Sequence, residues 1–526
     1  MAPERFSRRN FLGGSAKLGL GAASVAVAGA GSDLLGAAGS AGAAATIAKR
    51  RRALEHSAVT AGGLTSPPPA PPGHWNFVSR PDLRPPGVSL KTATGYSPSS
   101  LTPRFIFTEP REIGPGSMPA GSQRGLMILD RSGSLIWFKP LVAKGEDPLN
   151  FRVQSYKGNP VLTWWQGIIG PGYGEGGIGV LMDASYKRVT TVTSKNYPMD
   201  LHELLLTPEG TALMTAYETG SSITIGHAQE IDIATGALVF DWASYPAVRM
   251  SESYVTGADY FHLNSIDVWP GSARNLLISA RNTCTVYLVQ RSTKKILWRL
   301  HGKHSNFFTN QQSQFWYQHD ARALANGSGI SVFDDASQPC PENQSWAKVI
   351  HLDMATRGAT LAHEYRHSTS PIDAGSQGNC QILPDGSHFV GWGAPPYFSQ
   401  FAPAGSAFKG ALVVDGRFPD GVESYRSFSF DWVGKPSQNE LALVVKNGSK
   451  SGEFTAYVSW NGATEVRSWH ILAGTSDTTL RHYASVIRRT FETVVPVTYS
   501  GATQFRAKAY DKAGQLLGSS AIVAAG

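Results

Sequence analysis

The chain has 526 residues, 41% of them hydrophobic and 10% aromatic, with 56 Gly, 32 Pro and 3 Cys. That length points to more than one domain, and the glycine and proline content suits a turn-rich all-β chain better than a helical one. Of the formal charge of +8, residues 1–53 contribute six, eight Lys or Arg facing only Glu4 and Asp33; the remainder is close to neutral, so a nucleic-acid footprint is not supported. Three cysteines are too few for a disulfide scaffold. Cys284, Cys340 and Cys380 read best as small buried residues, and whether Cys284 and Cys380 meet stays open.

The N-terminus runs SRRNFL from Ser7 to Leu12, then a mildly apolar Gly/Ala-rich stretch to Ala30 and small residues to Ala45. Paired arginines before a weakly hydrophobic run read as a twin-arginine export signal over 1–45. The twin-arginine machinery is then a partner, and the protein is expected to be secreted or associated with the cell envelope. Lys17 and the scarcity of Leu, Ile and Phe argue against a membrane span. Residues 46–75 hold KRRR and SPPPAPPG and are read as a linker that does not pack. Trp75 to Tyr96 is expected to be extended, and strand pairs begin at Phe105.

From there two kinds of hairpin alternate. One opens at Phe151, His202, His262, His319 and Asn379, each followed by an apolar strand, a Gly-containing turn and a second apolar strand; the last three separations are 60, 57 and 60 residues. The other recurs from Ile128, Leu181, Glu230, Leu288, His351 and Leu412, mostly as strand, Asp-x-x-(Thr/Ser)-Gly-type turn, strand. A period of this size, built of short strands and turns, predicts a β-propeller over 76–435, with six four-stranded blades favoured and seven still open. The segment Asn306 to Trp316 is expected to be a long loop. Residues 436–526 contain five to seven short alternating strands and predict a fibronectin- or immunoglobulin-like sandwich, with Trp460 and Trp469 in its core.

Equivalent positions of successive blades surround a central channel, so His202, His262 and His319, with Asn379 in the same slot, are expected to converge. Three imidazoles can hold a transition metal, or supply a nucleophile, an acid/base and donors to an anion. Arg281, at the end of the return strand after His262, favours the second chemistry, because a guanidinium repels a dication and matches a tetrahedral oxyanion. Asn264, two residues after His262, is expected to face the same way and add a neutral donor. Tyr217, Trp165 and Trp392 occupy the return-strand position equivalent to Arg281 and are either walls for a flat aromatic group or core packing. His351, His363, His367 and His388 are expected to be exposed or locally bonded.

The strings Asp259-YFHLNSID, Leu277-ISARNT, Gln318-HDAR and Ser459-WNGATEV, with SRPDLRPP from Ser79, resemble the arylsulfotransferase family in its branch with a C-terminal sandwich. The resemblance implies transfer of a sulfuryl group from a phenyl sulfate to a phenol, with no nucleotide donor and no cofactor. By motif, His319 would be the nucleophile forming a sulfohistidine, with His262, Asn264 and Arg281 beside it and His202 as an additional channel histidine. The chain departs from the well-described bacterial branch in lacking a close cysteine pair near the nucleophile and an N-terminal β domain. Two rival readings of the residues are a metal-dependent propeller hydrolase or lactonase, and a non-catalytic ligand-binding propeller.

Overall fold

A computed structural model describes residues 62–96, 103–141, 145–170, 172–220, 222–339 and 344–526. The stretch 1–45 read as an export signal, most of the 46–75 segment read as a linker, and Cys340 lie outside the described residues. The remaining part of that linker does pack. Leu64 is buried, its N–H donates to the Leu412 carbonyl at 2.8 Å, and the Ser89 hydroxyl donates to the Pro69 carbonyl. A proline run has few donors of its own, but its carbonyls serve a neighbouring strand as acceptors.

Between Phe105 and Phe430 the strands form six sheets with a four-strand core. The first holds Asp147–Tyr156, Asn159–Gly167, Ile178–Met182 and Arg188–Val192; the second Met199–Leu206, Thr211–Glu218, Ile225–Asp232 and Leu238–Ala243. The third holds Leu263–Val268, Leu276–Ala280, Thr285–Val289 and Ile296–Leu300. The fourth holds His319–Ala323, Gly329–Asp334, Trp346–Asp353 and Gly358–Tyr365, and the fifth Asn379–Ile382, His388–Gly391, Tyr397–Phe401 and Leu412–Arg417. The sixth joins chain ends: Ser427–Phe430 pairs with Phe105–Thr108, which continues to Gly125–Asp130 and Leu135–Pro140. Short edge strands extend two sheets, Phe308–Thr309 the fourth and Ser89–Thr92 the fifth. The first strands of successive sheets adjoin one another in order, and that of the sixth adjoins that of the first. All six therefore look onto one axis.

The Asp-headed turns have a common cause. Asp130, Asp183, Asp232 and Asp353 each accept backbone N–H groups two to four residues ahead, so the carboxylate completes the turn that the next strand needs. Between sheets the packing is apolar and aromatic. Trp164, Phe151 and Trp137 fill one gap, and Phe333, Trp392 and Val390 another. The segment 306–316 is a loop apart from a two-residue strand and a short 3-10 turn at Gln311–Ser313. Cys284 and Cys380 are buried and neither forms a disulfide.

After Trp432 the chain forms two further sheets around one core. Leu441–Asn447, Glu453–Trp460 and Thr493–Thr498 face Arg481–Ile487, Ser468–Gly474, Gln504–Tyr510 and Leu516–Ser519, with Val458, Trp469, Ile471 and Phe505 between them. Asn461 ties this unit to the sixth sheet, accepting from the Phe138 N–H and donating to the Phe138 carbonyl, both at 2.9 Å.

The axis itself is closed by charge. Glu203 meets Arg152 at 2.6 Å, Arg322 at 2.6 Å and Arg426 at 3.5 Å, while Asp320 meets Arg322 at 2.6 Å and Arg426 at 3.4 Å. Burial alone would raise the Glu203 carboxyl, but the three guanidiniums outweigh it and hold it at about 2. Removing one partner of such a cluster strands the others without water. Glu203→Gln should therefore cost about 3–5 kcal/mol, seen as a lowered urea midpoint with an unchanged slope.

Candidate active site

The three recurring histidines stand on the axis above that cluster. The His202 and His262 rings lie 4.9 Å apart, edge to face, and His202 and His319 lie 6.4 Å apart, nearly parallel. Their exposures are 3%, 2% and 1%. Each imidazole uses Nδ1 on its own aspartate at 2.6 Å: His202 on Asp200, His262 on Asp259, His319 on Asp335. The carboxylates are fixed in turn. Asp200 accepts from the Thr215 hydroxyl at 2.8 Å and the Gly174 N–H at 2.8 Å. Asp334, beside Asp335, accepts from the N–H groups of Trp316 and Ala336 and pairs with the buried Lys348. An imidazole anchored through Nδ1 has Nε2 left for chemistry.

His319 carries a further mark. The Gln377 N–H points at its Nε2 at 3.4 Å, which requires a lone pair there and places the ring proton on Nδ1, donated to Asp335. Burial, then the Arg281 charge, then the other two histidines push the His319 imidazole well below its ordinary range, so it stays neutral. His262 is lowered to about 4 by burial and Arg281, against the pull of Asp259. Burial pushes Asp200 and Asp259 up, but the histidine each one faces outweighs it and keeps both carboxyls below the usual range. For Asp335, burial and neighbouring Asp334 prevail and raise it.

The strands present these side chains through irregularities. Register shifts fall between Met199 and Leu204, Leu263 and Ser265, and His319 and Arg322, and His262 and Asp320 have φ of 55° and 51°. A bulge lets consecutive residues both face inward, so His202 and Glu203, or His319 and Asp320, turn to different levels of one axis.

Arg281 follows the strand Leu276–Ala280. Its N–H donates to the His262 carbonyl at 2.9 Å, and its guanidinium lies 5.1 Å over the Tyr317 ring. The other expected residues need correction. Asn264 does not follow from strand parity, because the register shifts at that point; its amide donates to the Gln318 carbonyl at 2.7 Å and ties the third sheet to the fourth. Asn379 is spent on the Ser427 backbone in both directions, at 2.9 Å each, and so is an inter-sheet bridge rather than a substrate contact. Trp392 is buried between the fourth and fifth sheets, its indole N–H on the Ser399 hydroxyl. Trp165 is enclosed by Gly167, Gly174 and Gly177, which leave no room for a Cβ. Neither tryptophan is a free wall. Tyr217 feels the charges of Asp200, Asp259 and Arg281, but its hydroxyl donates to the Leu263 carbonyl at 2.9 Å. Of the two expectations for these positions, wall or core packing, the structure places Trp165 and Trp392 in the packing between sheets. Of the other histidines, His351 and His363 are exposed, His367 is buried on Asp415, and His388 is buried against Tyr365.

Sequence reasoning missed Asp200, Asp259, Asp335, Gln377 and Tyr425. The three aspartates stand two before, three before and sixteen after their histidines, so no common spacing reveals them. Among the described residues no group of three or more His, Cys, Asp and Glu is arranged to hold a metal ion. Two cavities of about 360 and 370 Å³ lie beside Arg152 and Phe430, and neither is lined by a histidine.

Because His262 binds fewer protons folded than unfolded between its ordinary 6.5 and about 4, its share of stability is full above 6.5 and lost as pH falls through that window. The gap in urea midpoint between the wild type and His262→Gln should be constant above pH 6.5 and shrink steadily towards pH 4.

No curated protein matches the chain. Similar solved structures include a protein of unknown function from Bacteroides caccae, at 10% identity over 62% of this chain and 98% of that one, TM-score 0.37. Another is the β-propeller domain of Cps50 (Swd1) from Myceliophteria thermophila, at 12% over 65% and 88%, TM-score 0.34. A third is TolB from Acinetobacter baumannii, at 12% over 61% and 67%, TM-score 0.33. Nothing about the site is transferred from them at such identities. Residues 152–409, which carry all three histidines, Arg281 and their aspartates, match the model of the arylsulfotransferase (ASST) family, and this part of the chain belongs to that family.

Proposed function

We propose that the protein is an aryl-sulfate sulfotransferase that moves a sulfuryl group from a phenyl sulfate to a phenolic acceptor through His319, without a nucleotide donor. The single observation that carries this reading is the set of three Asp-anchored imidazoles on one axis, one of which, His319, presents an unprotonated Nε2. In the first half-reaction the Nε2 lone pair forms an N–S bond as the S–O bond to the aryl group breaks, and the electron pair leaves on the phenolate oxygen. In the second half an acceptor phenol oxygen attacks sulfur, the S–O bond forms and the N–S bond breaks. Transfer of this kind has a loose, in-line transition state, so positioning and charge stabilisation supply most of the catalysis. Arg281 neutralises charge on the sulfuryl oxygens. His202, facing an Asp200 held in its ionised form, carries the proton given to the leaving phenolate and taken back from the acceptor.

The same reading takes the six sheets as the blades of a six-bladed propeller closed by the sixth, mixed sheet, and the two C-terminal sheets as a sandwich. It also takes the protein to be exported through the twin-arginine route.

The test is a chromogenic aryl sulfate with and without added phenol. Release of coloured phenol should require the acceptor, follow ping-pong kinetics and vanish in His319→Ala. Release without acceptor would mark a hydrolase instead, and binding without turnover a binding module. Asp335→Asn, which removes the acceptor that fixes the His319 tautomer, should lower kcat by roughly 10³–10⁴-fold. Since His319 is held below the ordinary imidazole range, the acid limb of kcat/KM should lie below pH 6.5.

A further inference from the structure

The ring of groups around the three histidines is completed by Tyr425, which the strand Ser427–Phe430 of the sixth sheet brings to the axis. Its ring stands edge to face with His202 at 5.9 Å, and the guanidinium of the next residue, Arg426, lies 5.1 Å from its centre. Its backbone joins the nucleophile side of the site. The Tyr425 carbonyl accepts from the Gly378 N–H at 3.1 Å, while the N–H one residue earlier, that of Gln377, points at His319 Nε2. The ring is therefore held by His202 and Arg426, and its backbone is fixed by Gly378.

The hydroxyl is treated differently. Tyr425 is 2% exposed, yet its hydroxyl finds no hydrogen-bond partner among the described residues. Of the other buried tyrosines, Tyr217 donates to the Leu263 carbonyl, Tyr260 to Ser244 and Val248, and Tyr287 to Thr283; Tyr365 also lacks a partner among the described residues, but it is stacked on His388 and not on the three central histidines. A buried hydroxyl left without a partner is destabilising, and it persists where a ligand is the partner.

We infer that the Tyr425 hydroxyl is a catalytic hydrogen-bond donor, directed at an oxygen of the sulfuryl group while that group is transferred to and from His319. This rests on the sulfotransferase reading of the site and adds to it a neutral donor beside His202. Burial and the charge of Asp200 raise the phenol despite Arg426, so it keeps its proton throughout and donates without itself being an acid in the reaction. A preorganised donor of this kind acts on charge as it develops, in a site closed to water.

Tyr425→Phe removes the oxygen and keeps the ring against His202 and Arg426. With aryl sulfate and phenol its kcat should fall about 10²–10³-fold, with KM changed less than kcat and the thermal midpoint held or raised. In parallel, inorganic sulfate is titrated calorimetrically into His319→Ala and into His319→Ala/Tyr425→Phe, where the double variant should bind at least five-fold more weakly. A fall in either readout with the fold intact supports the donor. Wild-type kcat together with unchanged sulfate affinity overturns it. If the wild type turns over no aryl sulfate, the transferase reading fails by itself, and the sulfate titration alone decides Tyr425. Should Tyr425→Phe fail to fold, incorporation of a ring-fluorinated tyrosine at 425, which strengthens the donor with little change of shape, must alter kcat; an unaltered kcat overturns the inference.

Discussion

Everything on the axis depends on the buried ionic cluster of Glu203, Asp320, Arg152, Arg322 and Arg426. Its members come from the first strands of the first, second and fourth sheets and, with Arg426, from the residue just before the strand Ser427–Phe430 of the sixth, and Arg426 and Arg322 also donate to the Asn264 and Ile266 carbonyls of the third. Sheets that pack only through apolar faces slide with little penalty, whereas a carboxylate shared by three guanidiniums fixes its neighbours in distance and angle. A cluster of this kind is weak as a source of net stability and strong as a determinant of register. It closes one level of the axis and leaves the next level, one residue away along the same strands, to the histidines.

That arrangement sets the electrostatics of the site. The imidazoles are buried beside Arg281 and Arg426, which penalise protonation of His319, and each is paired with an aspartate that fixes its orientation. The dyads are not equivalent. Asp200 and Asp259 are held in the ionised form, while Asp335, buried next to Asp334, is raised. One fold thus presents the same side-chain pair in different protonation balance around one ring, an arrangement in which one residue type can serve different roles.

Inter-sheet amides form a second layer of support. Asn150 donates to the His202 carbonyl, Asn264 to that of Gln318 and Asn379 to that of Ser427. These asparagines share the repeat with the histidines, so sequence position alone does not separate a site residue from a strut. The family match through residues 152–409 supports an arylsulfotransferase-type function; the hydrogen bonds separate the inter-sheet struts from the Asp-anchored imidazoles.

The sequence by itself determined the all-β architecture, the alternation of hairpins, the loop at 306–316 and the coincidence of His202, His262 and His319, because a period of about sixty residues survives any local irregularity. It also marked Arg281, whose place at the end of a return strand follows from hairpin length. It left undetermined which side chain of a consecutive pair faces which level, since the bulges at 199–204, 263–265 and 319–322 break the two-residue parity on which such inference rests. Only the tertiary structure supplied Asp335 to His319 from sixteen residues away and Tyr425 from beyond a hundred, turned Asn379, Trp165 and Trp392 into packing, and drew residues 62–75 onto the fifth sheet. Those are contacts between segments with no fixed spacing, and they exist only once the sheets stand around one axis.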